Sequence, residues 1–277
     1  MGVQIQTEVT TSCRYACVFC VHPVLTRKIE TMNMPLFKKI VDDAATIPLV
    51  EKLTLTGLGE TLQDRFLVER IKYARKVLPR GVTIDLYTAG GLLRPKLTDQ
   101  LIAAGLDVVY ISLNATSREK RLAIMGVDDF DQVVEHAKYA LAASQGTQMR
   151  VIVKSVADKG LMEVGEHEEF NEAWGGDWQK GGASYLHLCG NWGGRLNIPM
   201  LIKPTKACHR ALSQVMILVD GRVSICCFDG NGEHILGDMN TQSLREMYSS
   251  EVAVNFRQMH ADGRRQEIPM CRDCTSI

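Results

Sequence analysis

The sequence predicts an α/β protein: a partial (β/α)6, TIM-like barrel followed by a small α+β tail. Three observations predict it. Apolar strand-like runs alternate with amphipathic helix-like runs through the first two-thirds of the 277-residue chain. The polar motifs fall at the C-terminal ends of those strands, the rim where barrel enzymes place their chemistry. Nine cysteines are segregated, three at 13–20, one at 189 and five at 208–274, with none from Val21 to Leu188.

Residues 4–10 (QIQTEVT) read as a first strand ending at the first cysteines. Helical spacing follows at 34–46, with Leu36, Ile40, Val41 and Ala44 on one face. A short strand at 52–57 breaks into Gly57-Leu58-Gly59-Glu60. An amphipathic helix spans 66–78, and the strand at 82–88 ends in Ala89, Gly90 and Gly91. Pro95 opens a helix that runs to Ala104 and is capped by Gly105. A strongly apolar strand at 107–114 precedes a helix at 130–144, a strand at 149–156, a helix near 160–173 and a sixth strand at 183–188. Cys13 thus follows strand one, Gly57 strand two, Thr88 strand three and Asn114 strand four, while Lys154 lies near the end of strand five. Strands of this kind are expected to be buried on both faces.

Residues 174–204 are rich in Gly and Trp and read as a linker or active-site loop. From Cys208 the pattern changes. VMILVDGRVSICC signals a β-hairpin turning at Asp220-Gly221, and SLREMYSS and EVAVNFRQMH are short helices. The expected division is a barrel over 1–180, a linker or active-site segment over 181–205 and the tail over 206–277. A tail this small has little core of its own, and metal ligation is one way to stabilise it.

Lys and Arg number 32 against 32 Asp and Glu, so there is no global electrostatic case for a nucleic-acid partner. Arg257, Arg264 and Arg265 form a local basic group, read as a solvated helix face. No apolar run is long enough to span a bilayer, and the N-terminus lacks the apolar core of a signal peptide. A cytoplasmic protein with no membrane partner is therefore expected. In that compartment, cysteines point to metal ligands or reactive thiols rather than disulfides.

Cys13-x3-Cys17-x2-Cys20 puts three thiols on one short loop. Three thiolates can ligate three irons of a cubane and leave the fourth iron to a small molecule, whereas an electron-transfer cluster usually has four. The bland alternative is a zinc knuckle or a chance grouping, although a structural zinc site is normally closed and tetrahedral.

CxxxCxxC directly after an N-terminal strand resembles the radical SAM superfamily. The resemblance implies that Cys13, Cys17 and Cys20 hold a [4Fe–4S] cluster whose unique iron is chelated by S-adenosylmethionine (SAM). It implies that reduction, by a flavodoxin- or ferredoxin-type partner, cleaves SAM to methionine and a 5′-deoxyadenosyl radical that abstracts a substrate hydrogen atom. Phe19, just before the last cysteine, matches the family's adenine-side aromatic. Gly57-Leu58-Gly59-Glu60 resembles the GGE motif that meets the methionine amino group, with Leu58 in place of the second glycine. Glycine permits close backbone approach, and Glu60 can accept from an ammonium. Thr88-Ala89-Gly90 resembles the family's TNG segment. Ser112 and Asn114, in ISLNA, resemble the SLD segment beside the ribose, with Asn114 in place of Asp. Lys154 is a cation on an apolar strand, suited to the methionine carboxylate or a substrate anion. For Thr88, Ser112, Asn114 and Lys154 a plain structural role is the competing reading.

Cys208, Cys226, Cys271 and Cys274 supply four more thiols. Four can close a cluster completely, but a four-cysteine zinc site uses the same ligands, and spacing alone does not choose. The hairpin from Cys208 to Cys226, LGDMN at 236–240, SLREMY at 243–248 and PMCRDC at 269–274 resemble the SPASM/twitch appendage of radical SAM enzymes. The shorter twitch form implies one auxiliary [4Fe–4S] cluster. Cys227, next to Cys226 on a strand, is read as buried on the opposite face, with an exchange of roles between the two left open. Cys189 is read as a core cysteine, with hydrogen-atom donor or substrate contact as its functional alternative. His187 and His209 are read as structural. Trp192, in GNWGG, lines the substrate cavity or belongs to a plain loop.

Together these features imply a radical SAM oxidoreductase acting on a small-molecule or peptide substrate. The auxiliary cluster suggests removal of an electron from the substrate radical, as in an alcohol-to-ketone dehydrogenation of a sugar-like compound. The alternatives are a peptide maturase, an isomerase or modifier of a nucleotide or nucleic-acid base, and, outside the enzymes, a zinc-binding module. No general base is identified.

Overall fold

The computed structural model describes residues 2–156, 164–174, 182–187, 190–196 and 207–275. Cys189 and the side chain of His187 lie outside the described residues. The barrel strands are β1 (Val3–Thr7), β2 (Val50–Leu55), β3 (Thr83–Thr88), β4 (Val108–Ser112), β5 (Arg150–Val156) and β6 (Gly182–His187). Each pairs in parallel with the next, giving the partial (β/α)6 barrel. The helices between them are α1 (Met34–Ala45), α2 (Leu67–Val77), α3 (Pro95–Ala104), α4 (Arg118–Met125), α5 (Phe130–Ala143) and α6 (Val164–Trp174).

Local chemistry sets the helix ends. The Asn33 side chain accepts from the Leu36 N–H at 2.8 Å and starts α1, which buries Leu36, Phe37, Ile40, Val41 and Ala44. Pro95 opens α3, and Gly105 ends it in the left-handed region at φ 88°. Ser117 caps α4, and Gly126 closes it at φ 72°.

Successive strand residues face opposite sides of the sheet. Ile5, Leu53, Leu55, Ile84, Leu86, Val109, Ile111, Val151 and Val153 face the helices and are fully buried. The alternate positions carry Gln4, Gln6, Lys52, Thr54, Asp85, Tyr87, Tyr110 and Lys154. That second face also carries the buried Val108 and Ile152, and its Thr54 and Asp85 are buried too, so the strands are covered on both faces as expected, with most of their polar side chains on one. On the polar face Lys52 Nζ meets Asp85 Oδ2 at 2.9 Å. Tyr87 and Tyr110 stack with ring centroids 4.4 Å apart, and Lys154 Nζ sits 4.6 Å from the Tyr87 centroid.

The tail contains α7 (His209–Ser213), β7 (Gln214–Ile217), β8 (Arg222–Ser224), β9 (Ile235–Asp238), α8 (Leu244–Ser249), α9 (Glu251–Ala261) and α10 (Pro269–Arg272). The hairpin turns at Asp220-Gly221, with Gly221 at φ 94°. Its first strand, β7, pairs in parallel with β1, so one nine-stranded sheet runs through barrel and tail. Val215, Ile217, Val223, Leu244 and Met247 belong to the barrel's own core. A second cluster gathers Ile225, Phe228, Phe256, Ile268 and Met270 around Cys208 and Cys274.

Polar contacts fasten the tail independently of its cysteines. Lys39 Nζ donates to the Gln242 carbonyl at 2.6 Å, and Leu244 N–H to Asp43 at 2.9 Å. Glu8 is fully buried at the end of β1 and accepts from both Arg27 terminal nitrogens, at 2.8 and 2.9 Å. The same carboxylate accepts from the Leu58 and Val219 N–H groups, at 3.0 and 3.1 Å. One buried anion thus joins Arg27 of the β1–α1 connection, the glycine motif and the hairpin. Strand β8 ends at Ser224, so Cys226 and Cys227 lie in the following turn rather than on a strand. Among the described residues no helix is long and apolar enough to cross a membrane.

Candidate active site and auxiliary metal centre

The loop after β1 is held from below by a charged network. Asp129 Oδ2 accepts from Arg14 at 2.6 Å and from the Tyr15 hydroxyl at 2.7 Å. Its Oδ1 accepts from Arg121 Nε at 2.6 Å. Burial works against the Asp129 carboxylate, but Arg121, Tyr15 and Arg14 hold its pKa below the usual range. Arg121, fully buried on α4, also donates to the carbonyls of Ala89, Ser112 and Leu113. It thereby ties the ends of β3 and β4 to the cysteine loop. Ala16 and Val18 N–H groups donate to the Met125 and Ile124 carbonyls at 3.1 and 3.0 Å, which satisfies acceptors left open at the end of α4.

Above this base lies a cavity of about 160 Å³. Cys13, Cys17 and Cys20 line it together with Phe19, Gly57, Gly59, Glu60, Thr88, Ser112 and Asn114. The structure thus brings together every residue singled out for the cluster and SAM except Lys154, which reaches the site through the Tyr87 ring. Gly59 is required by close approach: a Cβ there would stand 2.1 Å from the Thr10 carbonyl oxygen. Glu60 is buried and its carboxylate is engaged by the protein. It accepts from the Thr88 hydroxyl at 2.6 Å, the Ala89 N–H at 2.7 Å and the Leu62 N–H at 3.1 Å. Burial nevertheless raises its pKa against those bonds. Its visible work is to hold the glycine motif against the end of β3. Asn114 is a non-glycine residue in the left-handed region, at φ 58°, and its Nδ2 meets Met125 Sδ at 3.3 Å. Met125 also lies 3.6 Å from Cys17 Sγ.

A second cavity is lined by Cys208, Cys226, Cys271 and Cys274. Cys227 is half-buried and does not line it. Arg210, Phe228, His260 and Arg265 complete much of the wall. Arg265 is 2% exposed, so it is not part of a solvated helix face; its guanidinium donates to the Cys271 and Cys274 carbonyls. His209, by contrast, is exposed. Burial, then Arg265, hold the His260 pKa down to about 4.

One short segment joins the two cavities. Trp192, strained at φ 53°, donates its indole N–H to the Phe19 carbonyl at 2.8 Å, and its ring lies 4.9 Å from that of Phe228. Asn191 fastens the same segment to the C-terminal end, donating to the Asp273 carbonyl at 2.7 Å and accepting from Thr275 N–H at 3.0 Å.

The donor sets fit iron–sulfur clusters. Burial pushes the Cys13 thiol up to about 11, and Cys17 and Cys271 up to about 12. Thiolates form in such places only against a cationic partner, which a metal centre supplies. A single tetrahedral zinc, with bonds of about 2.3 Å, would draw its sulfurs to roughly 3.8 Å from one another. Among the described residues no three of these sulfurs come within 4.8 Å of one another, wider than that zinc geometry. His260, a residue of the second wall, leaves its buried Nε2 with no protein partner among the described residues.

Sequence reasoning missed Tyr15, Arg121, Met125, Asp129 and His260. For the α4 residues a signal existed in the caps Ser117 and Gly126; for His260 there was none, because its role depends on tertiary placement.

Comparison with known proteins agrees with this geometry. Residues 7–166 match the Radical SAM superfamily, and residues 208–275 match SPASM, an iron-sulfur cluster-binding domain. The S-adenosyl-L-methionine-dependent 2-deoxy-scyllo-inosamine dehydrogenase of Niallia circulans is 22% identical over 276 residues, covering 99% of this chain and 92% of that protein. The crystal structure of BtrN in complex with AdoMet and 2-DOIA superposes with a TM-score of 0.72 at 18% identity, covering 100% of this chain and 94% of BtrN. SuiB of Streptococcus suis, bound to its precursor peptide SuiA, gives 0.74 at 13% identity, covering 93% of this chain and 67% of SuiB. The chain belongs to the Radical SAM superfamily, with SAM and a [4Fe–4S] cluster as its cofactors and a C-terminal SPASM-type iron-sulfur cluster-binding domain.

Proposed function

We propose that the protein is a radical SAM dehydrogenase that oxidises a carbinol carbon of a small, polar, sugar-like substrate to a ketone. The observation that carries this reading is the second, four-thiol cavity, joined to the first through Trp192. When bound, the first cluster and SAM supply a hydrogen-abstracting radical, and the auxiliary cluster supplies a one-electron acceptor. Removal of a hydrogen atom, a proton and an electron is together a two-electron oxidation.

In this reading Cys13, Cys17 and Cys20 hold the first cluster, and Cys208, Cys226, Cys271 and Cys274 the auxiliary one. Phe19, Gly57, Gly59, Thr88, Ser112 and Asn114 shape the SAM pocket. Glu60 keeps the glycine motif in place through Thr88 and Ala89. The polar inner face of the barrel supports a hydroxylated substrate: Tyr87 and Tyr110 offer an aromatic platform, and Lys154 a cation for a substrate anion or the methionine carboxylate. A low-potential flavodoxin or ferredoxin is the expected reductant. The whole-length likeness to an aminocyclitol dehydrogenase supports the same substrate class.

Anaerobic incubation with SAM, a low-potential reductant and a panel of polyols and aminocyclitols tests the proposal. The expected result is 5′-deoxyadenosine formed together with a ketone in equal amounts. Substrate-dependent 5′-deoxyadenosine accompanied by an isomer or a cross-linked product would overturn the dehydrogenase reading.

A further inference from the structure

His260 lies on α9 in the wall of the four-cysteine cavity and is fully buried. Its Nδ1 accepts the Cys208 N–H at 3.4 Å. An imidazole whose Nδ1 accepts a hydrogen bond carries its ring proton on Nε2. That Nε2 is buried and has no hydrogen-bond partner among the described residues. A buried donor left unmade is costly, so native structures rarely keep one without a reason. The ring is fixed edge-on against Phe256, with centroids 5.0 Å apart. Thiols form the shared wall, with Arg210 and Arg265 as its cations.

We propose that His260 donates an Nε2–H hydrogen bond to a sulfur of the auxiliary [4Fe–4S] cluster or of its thiolate ligands, and so raises the cluster's reduction potential. Reduction adds negative charge to those sulfurs, and a fixed donor stabilises the more negative state. Hydrogen bonds to the sulfurs are among the factors that set such potentials. Arg210 and Arg265 act in the same direction. His260 is thus a positioning residue that suits the site to accepting an electron. The inference rests on the four cysteines being cluster ligands, and does not depend on the substrate.

The test uses the full-length chain with Cys13, Cys17 and Cys20 all changed to alanine, so that only the auxiliary site loads. Iron should be about four per chain. Reductive titration followed by EPR gives the midpoint potential. His260→Leu is expected to keep the iron and shift the midpoint negative. His260→Gln, which returns an amide N–H near the Nε2 position, is expected to move it back toward the parent. An unchanged midpoint in His260→Leu, or a His260→Gln midpoint no nearer the parent, overturns the proposal. Pulsed EPR of the unmodified holoenzyme carrying 15N-histidine serves if His260→Leu loses its iron: a weakly coupled histidine nitrogen on the reduced auxiliary cluster supports the proposal, and none overturns it. Absence of iron from the triple variant overturns the ligand assignment itself, and the proposal with it.

Discussion

Replacing Cys274 with alanine is expected to leave SAM cleavage intact and to abolish ketone formation. Cys274 is 7% exposed and is one of the four thiols lining the second cavity. Without it the auxiliary cluster loses a ligand, and the electron from the substrate has nowhere to go. Ketone should fall by more than about a hundredfold, since even an outer partner of a metal ligand is worth roughly 10- to 100-fold. The first site is built from other residues, so substrate-dependent 5′-deoxyadenosine should persist. The tail should stay docked, because the β7–β1 pairing and the Lys39, Asp43 and Glu8 contacts do not involve Cys274. Chromatography of both products in one reaction checks the result; ketone at the parental rate would remove the auxiliary site from the reaction.

Replacing Cys17 with alanine is expected to abolish both products. Cys17 sits at the centre of the loop, its carbonyl accepting the Cys20 N–H at 3.0 Å and its sulfur against Met125. Two thiols cannot hold the three-iron face of a site-differentiated cubane. The expected loss of 5′-deoxyadenosine is again more than about a hundredfold. The contrast between the variants is what matters. Cys17→Ala blocks the start of the reaction, whereas Cys274→Ala lets it start and blocks its completion. Equal effects of the two on 5′-deoxyadenosine would contradict the division of labour.

The barrel was legible because each strand is a short run with apolar residues at alternate positions, bounded by turn residues, and each long helix shows a stripe such as Leu36, Ile40, Val41 and Ala44. The cysteine sets were legible because thiol spacing on a loop carries ligand geometry locally. What stayed hidden depends on contacts distant in sequence. Helix α4, REKRLAIM, has a charged first half, and its caps Ser117 and Gly126 were its only clear marks. Arg121 and Met125 were hidden with it, although one braces the cavity and the other lines it. The pairing of Ile5 with Val215 leaves no local trace, so the hairpin read as a separate unit rather than the continuation of the barrel sheet. Arg265 read as solvated because charge is normally at the surface; two carbonyls of the terminal cysteine pair hold it inside. Cys226 and Cys227 read as strand neighbours because the apolar run continues past Ser224, where the strand stops.

The most direct test is the metal and sulfide content of the chain purified and reconstituted without oxygen. Two cubanes require about eight irons and about eight acid-labile sulfides per chain. The expected result is that content, with iron falling to about four in Cys17→Ala and in Cys274→Ala alike. About two zincs per chain with no iron or labile sulfide would contradict the account.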